Sequence, residues 1–363
     1  MKKPDFHTIP GETLKDFIVN SFVFFDVPLT DAKVASEVLL YADLHGIDSH
    51  GVGRLITYIE LMRAKKINVN PDVKIIRQKK SAGTVDGDNG LGLVVGPRAN
   101  QMAIQMAEEY GTGWVSVCNS NHYGAAGYYV AHTVASKEMI GWSMTSSSKL
   151  VAPLLGAEPM FGTNPIAFGV PALKNPPVIV DMATSAVPFG KVEIAMRKQQ
   201  MMPDGWGIDA KGHPTNDPQA IIDGGSLLPL GSQGSTGGHK GQCLVSMVDI
   251  LCAVLSGANW GPFGPTSLLW QPSPDKQVGK GIGHFFGAMD IEAFRDKHEF
   301  KTQMDQWIST VRNGAPQPGT TGPMIPGDPE RLAYQERTAK GVPVIEAVMR
   351  DLERVSSITG VKL

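Results

Sequence analysis

Cysteine is scarce in this chain. Three residues among 363, Cys118, Cys243 and Cys252, cannot staple a chain of this length, and none forms a C-x-x-C pair. They read as buried thiols of a reducing compartment. Long apolar runs are missing as well. The stretch around 17–25 is broken by Asn20 and followed by Asp26 and Pro28, with no small-residue cleavage pattern after it. A cytoplasmic protein without a membrane partner is therefore expected. Charge of one sign is also absent. Lys plus Arg number 33 and Asp plus Glu 35, a formal charge of −2, which argues against a nucleic-acid partner.

Three signatures of chemistry are missing too. No G-x-G-x-x-G follows a first strand, so an ordinary doubly wound dinucleotide enzyme is disfavoured. Gly87-Asp88-Asn89-Gly90-Leu91-Gly92 and 279–283 are glycine-rich with the wrong spacing. There is no Walker A and no H-E-x-x-H, and His, Cys and carboxylates do not cluster at ligand spacing, so no metal is expected.

Glycine is what the chain has in excess. Its 41 glycines make up about 11% of the residues, against a usual value of about 7%. Only four (Gly11, Gly46, Gly51 and Gly53) lie in the first 80 residues, while 224–287 holds 14.

Periodicity organises the rest. The first 70 residues read as helical, with Thr30 as an N-cap and Val34, Val38, Tyr41 and Ala42 at helical spacing up to Gly46. A second helix is expected over 52–64. From 73 onward short strands (73–76, 83–85, 114–117, 140–145, 178–181, 283–289) alternate with helices (97–110, 128–137, 244–255, 290–311), the order of an α/β protein. Pro97 is placed in a first turn. Residues 199–236 read as a loop-rich excursion, 315–329 as a Pro/Gly linker, and two helices close the chain.

Several segments could carry chemistry. His45-Gly-Ile-Asp-Ser-His-Gly-Val-Gly-Arg54 gathers two His, an Asp, a Ser and an Arg in ten residues. With a helix starting near Ser49, His50 and Arg54 would share a face, and the Arg fork could hold a carboxylate by two parallel hydrogen bonds. Ser49 could cap that helix or touch substrate. His122, past the strand at 114–117 and before a helix, suits general acid/base work, because an imidazole titrates near neutrality. His50 is the second choice. Ser146-Ser147-Ser148-Lys149 matches S-x-x-K, a serine-hydrolase motif, yet S-D-N and K-T-G do not occur. Thr163 and Asn164 flank a strand, as do Asp181, Met182 and Ala183. Gly237-Gly238-His239-Lys240-Gly241 opens a helix with free N–H groups and a cation, as an anion site does.

Taken together these segments resemble the type-2 malate/L-lactate dehydrogenase family over nearly the whole chain. The carriers are HGIDSHGVGRL (45–55), NSNHYGAAGYY (119–129), GTNPIAFGVP (162–171), DMATS (181–185) and GGHKG (237–241). The resemblance implies an α/β multidomain protein whose nicotinamide-binding fold is not a Rossmann fold. It implies a helical region of 1–72 plus about 312–363, a core and dimer region of about 73–130 plus 237–311, and a nicotinamide-binding region of about 131–236. It implies NAD, with NADP possible, and a homodimer with the active site between domains. His122 would be the acid/base and Arg54 the carboxylate grip, with Ser49 and His50 lining the same pocket and Thr163 and Asn164 beside it. Ser146, Asp181, Met182, Ala183, His239 and Lys240 would contact the cofactor. The chain carries Gly-His-Lys where other branches have Gly-Pro-Lys, and Pro326-Gly327-Asp328 where the family tends to Pro-Gly-Glu. Malate is the first substrate expected and lactate the second. Sulfolactate, ureidoglycolate and cyclic imino acids are the alternatives.

Overall fold

The computed structural model describes residues 6–363 other than Gln233, Ser267, Leu269 and Trp270, with the side chain of Arg197 also left aside. In chain order the elements are β1 (Phe6–Ile9), α1 (Gly11–Val23), α2 (Leu29–Leu44), α3 (Leu55–Arg63), β2 (Lys74–Lys79), β3 (Ala82–Asp86), α4 (Gly92–Tyr110), β4 (Thr112–Ser120), α5 (Ala126–Lys137), β5 (Ile140–Thr145), β6 (Ile166–Val170) and β7 (Val178–Met182). There follow α6 (Phe189–Arg197), β8 (Gly207–Ile208), β9 (Pro214–Thr215), α7 (Pro218–Ile222), β10 (Ser226–Leu227), α8 (Gly238–Asp249), β11 (Ile282–Met289), α9 (Lys297–Arg312), α10 (Asp328–Lys340), β12 (Val342–Ile345) and α11 (Glu346–Thr359).

Seven strands form one mixed sheet in the order β2-β3-β4-β11-β5-β6-β7. Only the β3/β4 pair is parallel; the others are antiparallel. Side chains alternate between its faces. On β11, Phe286 packs with Val95, Ala99 and Tyr129 from α4 and α5, while Phe285 packs with Val248 of α8 and Cys252 beyond it. A separate apolar cluster joins α1, α2 and α3 to α11 and to the paired strands β1 and β12, so the two ends of the chain share one core.

Several boundaries differ from expectation, each for a local reason. Thr30 does not cap α2. Pro28 takes the N-cap position, its ring holding φ at −53°, so the helix starts two residues earlier. Pro97 lies in the second turn of α4 rather than the first, because the helix already begins at Gly92. The helix expected from 52 opens with a 3₁₀ turn, Val52–Arg54, so His50 and Arg54 are not one helical turn apart on a shared helix. The apolar helix expected at 244–255 is α8 running into a π turn, Ile250–Val254. The segment 199–236 carries a three-stranded sheet, β10-β8-β9, and α7, which Asp217 caps by accepting from Gln219 N at 2.9 Å. Cys243 is exposed, unlike the other two thiols. Among the described residues no helix is long and apolar enough to cross a membrane.

Candidate active site

The catalytic-side residues are delivered by two loops. The first follows α2. Asp43, near the helix end, is buried and accepts from Val52 N at 2.8 Å. A Cβ at Gly51 would lie 1.8 Å from Asp43 Oδ1, so only glycine lets the loop close over that carboxylate. Burial pushes Asp43 up to about 7. From α10, Arg337 donates to Asp43 O at 2.6 Å and pairs with Asp48. His45 stacks on Tyr41 and gives its Nδ1 to Tyr41 O at 2.8 Å, so it serves the loop rather than a ligand. Within the loop so braced, Ser49 Oγ meets His50 Nδ1 at 2.9 Å and Arg54 Nε donates to Ser49 O at 2.7 Å. Ser49 thus holds His50 and Arg54 in place rather than capping a helix.

The second loop follows β4. Asn121 anchors it by donating to Asn89 O at 3.0 Å and Gly90 O at 2.9 Å. Gly92 opens α4 against it, where a Cβ would stand 2.1 Å from the Asn121 carbonyl oxygen. The glycine-rich 87–92 turn therefore packs under this loop. His122 emerges here, its Nδ1 2.7 Å from Tyr58 Oη and its ring stacked on His50 with centroids 5.6 Å apart. Tyr58 is buried one helical turn beyond Arg54. In the sequence only its i+4 spacing from Arg54 points to it.

Both imidazoles are held neutral. Burial, then the Arg54 charge, lowers His50 to about 3. Burial, then His50, Arg54 and His284, lowers His122 well below the usual imidazole range. With Nδ1 engaged by Tyr58, Nε2 is the nitrogen of His122 without a hydrogen-bond partner among the described residues. His122 lines a cavity of about 840 Å³ whose walls include Lys66, Asn89, Asn119, Asn259 and Lys280 and, among the described residues, no carboxylate.

The cofactor-side residues gather where β5 and β7 end. Ser147 N donates to Asn164 Oδ1 at 3.0 Å, and Thr184 N donates to Thr163 O at 2.9 Å. Those bonds knot 146–147, 163–164 and 182–184 together. Leu230 N donates to Thr184 O at 2.9 Å, and a Cβ at Gly241 would lie 2.3 Å from Leu230 O, so the first turn of α8 is drawn to the same knot. His239 and Lys240 are exposed there. Ser146 Oγ is taken up by the backbone of Gly283, and Asn164 is fully buried as a brace. Asp181 is exposed at the end of β7. Loss of hydration among the groups packed around its carboxylate still raises it to about 6, even though it accepts from Gly127 N at 2.7 Å at the start of α5. The donor set suits a dinucleotide: a carboxylate for sugar hydroxyls, and a helix N-terminus with a lysine for phosphates.

The two sides touch through α6. A Cβ at Gly190 would lie 2.9 Å from Ser49 Cβ, and Glu193 Oε2 stands 3.9 Å from Arg54 Nη2. Neither residue stood out in the sequence, because the contact joins segments remote in the chain.

This constellation is that of a dehydrogenase, and the chain belongs to the malate/L-lactate dehydrogenase family, whose profile matches residues 9–353. It is thus an enzyme, a 2-hydroxy acid dehydrogenase dependent on a nicotinamide cofactor, and the serine-hydrolase reading of 146–149 falls away. A malate dehydrogenase of Pyrococcus abyssi is 42% identical over 98% of this chain and 95% of its own length. An L-sulfolactate dehydrogenase of Methanocaldococcus jannaschii is 36% identical over 90% of each. The crystal structure of malate dehydrogenase from Entamoeba histolytica superposes with a TM-score of 0.91 at 32% identity, covering 99% of both chains.

Proposed function

We propose that the chain is an NAD-dependent malate dehydrogenase. The observation that carries the substrate is the cavity beside His122. Malate differs from lactate by a second carboxylate, and the cavity walls bring two cations, Lys66 and Lys280, with amides and, among the described residues, no acid. Neither lysine pairs with a carboxylate among the described residues. A sulfonate would be held by the same cations, which makes sulfolactate the second reading, supported also by the relatives. Ureidoglycolate and cyclic imino acids bring no distal anion, and neither does lactate.

In this reading Arg54 takes the C1 carboxylate with its Nη groups, its Nε being held by Ser49. His122 Nε2 removes the hydroxyl proton during oxidation and returns it during reduction, while Tyr58 holds Nδ1 and fixes the ring. His50, stacked alongside and bound to Ser49, shapes the pocket. Bound nicotinamide supplies the hydride acceptor in one direction and the donor in the other. Asp181, Met182, Ala183, His239 and Lys240 would hold it, with Thr163 on the substrate side and Ser146 and Asn164 shaping the wall. The Asp181 carboxylate favours ribose hydroxyls over a 2′-phosphate, hence NAD over NADP. A sheet with a single parallel pair supports a nicotinamide site of non-Rossmann design. The regions 1–72 with 312–363, 73–130 with 237–311, and 131–236 would act as helical, core and cofactor units of a cytoplasmic homodimer.

The test is a panel of oxaloacetate, sulfopyruvate, pyruvate and a cyclic imino acid with NADH and NADPH, followed at 340 nm. Oxaloacetate with NADH should have the highest kcat/KM. Lys280→Met should lower it about 10–100-fold, the worth of a hydrogen bond to a charged group, and leave pyruvate nearly unchanged. A wild-type enzyme that prefers pyruvate or the imino acid overturns the malate reading.

A further inference from the structure

β11 lies between β4 and β5 and runs antiparallel to both, so its first residues stand where those two strands end. Those ends are the functional ones. Two residues past Ser120 on β4 is His122, and one past Thr145 on β5 is Ser146. At that point β11 is irregular: Ile282 pairs with Ser120, and the register then slips before His284 pairs with Val117. A bulge of this kind re-aims a side chain. Gly283 permits it, since a Cβ there would lie 1.9 Å from the Cys252 carbonyl oxygen.

The side chain so aimed is His284, fully buried. Its Nε2 lies 2.8 Å from Ser120 Oγ and its Nδ1 2.7 Å from Thr145 Oγ1, while its ring stacks on Tyr123 at 4.7 Å and 9°. The two hydroxyls also have carbonyl acceptors of their own, Ser146 O at 2.9 Å and Gly283 O at 3.1 Å for Thr145 and Asn121 O at 3.4 Å for Ser120, so each can either accept from or donate to the ring nitrogen it meets. The imidazole is neutral in this arrangement, with both nitrogens engaged.

We propose that His284 is a positioning residue for hydride transfer: a rung between β4 and β5 that sets the spacing between the His122 loop and the cofactor-side segment at 146. The proposal rests on the dehydrogenase reading of those two strand ends but not on malate as the substrate. A rung suits the task because hydride transfer requires donor and acceptor to meet within a few tenths of an ångström, and a misplacement of about 1 Å costs about 100-fold.

The experiment uses the full-length enzyme and whichever 2-oxo acid the wild type reduces best, so failure of the malate reading leaves it intact. His284→Phe keeps the stack on Tyr123 and removes both hydrogen bonds. It should lower kcat about 30–100-fold, change the KM for NADH less than threefold, and raise the primary isotope effect with NADH deuterated at the transferred position. His284→Gln, which keeps one donor and one acceptor, should restore part of kcat. A folded Phe variant turning over within threefold of wild type overturns the proposal. So does a parallel collapse of kcat and NADH binding that Gln does not relieve, since that is loss of structure alone. If His284→Phe does not fold, Ser120→Ala and Thr145→Val each cut one end of the rung. Each must then lower kcat with little change in the KM for NADH, and the double variant must lose less than the product of the two. Additive losses, or none, overturn the proposal.

Discussion

His122 and His50 are neutral in the free enzyme for an identifiable reason: both are enclosed, and the Arg54 charge lies beside them. A neutral His122 is ready to act as a base in oxidation, whereas reduction requires it to carry a proton. A 2-oxo acid that places its carboxylate on Arg54 cancels part of the charge that depresses the imidazole, so its binding must raise the pKa of His122. The expected consequence is proton uptake. Titrating a non-reacting dicarboxylate into the enzyme–NADH complex at pH 7, in buffers of different ionisation enthalpy, should reveal uptake of a fraction of a proton, up to one per site, and His122→Gln should abolish it. A binding heat independent of buffer would place the proton elsewhere. Reduction should accordingly slow as pH rises through the pKa of the complex, and oxidation should speed up. Ser49, His50, Arg54 and His122 were legible in the sequence because charge and imidazole crowd into short segments. Tyr58 and His284 were not. Each is an aromatic ring in an apolar stretch, and only the fold shows that its polar atom meets Nδ1 of His122 or spans two strand ends.

At the scale of elements, α6 decides whether the Ser49 loop is correctly seated. Gly190 in its first turn has no room for a side chain, with Ser49 Cβ at 2.9 Å from where a Cβ would be. Gly190→Ala should push that loop away, carrying Ser49 and the Arg54 Nε hydrogen bond with it. The strain of adding one methyl to a close contact is about 1–3 kcal/mol. A fall in Tm of a few degrees is therefore expected, with a drop in kcat/KM of about tenfold or more, read by calorimetry and by steady-state rates on the same sample. Unchanged activity would mean that α6 does not set the loop. Elements with strong local periodicity, such as β5 and α5, could be read within two residues. The β1/β12 pair could not, because it joins opposite ends of the chain and each strand is four residues long. The two-residue strands of the 207–227 sheet have no period to read at all. The glycine-rich stretches announced close approach without a partner. The fold supplies the partners: Asp43 for Gly51, the His122 loop for Gly92, Leu230 for Gly241 and Cys252 for Gly283.

For the whole molecule, the remaining question is what covers the outer face of α8 and its π turn. Ile250, Val254 and Leu255 are each more than half exposed, and Met247 and Trp260 are exposed as well, apolar surface of the kind that marks an interface. The same segment is tied to the site. Its N-terminus carries His239 and Lys240, and its π turn presses the Cys252 carbonyl on Gly283 at the start of β11. A homodimer meeting on this face would therefore support both the cofactor side and the His284 rung from behind. Sedimentation velocity at micromolar concentration should give a particle of about twice 38.9 kDa. Ile250→Glu combined with Val254→Glu puts two charges where apolar surface must be buried, and a desolvated unpaired carboxylate is costly. The double variant should sediment as a monomer, keep the far-ultraviolet spectrum of the wild type, and lose most of its kcat because the support behind β11 is gone. A wild-type monomer would exclude the dimer. A double variant that remains dimeric would move the interface to another face of the molecule.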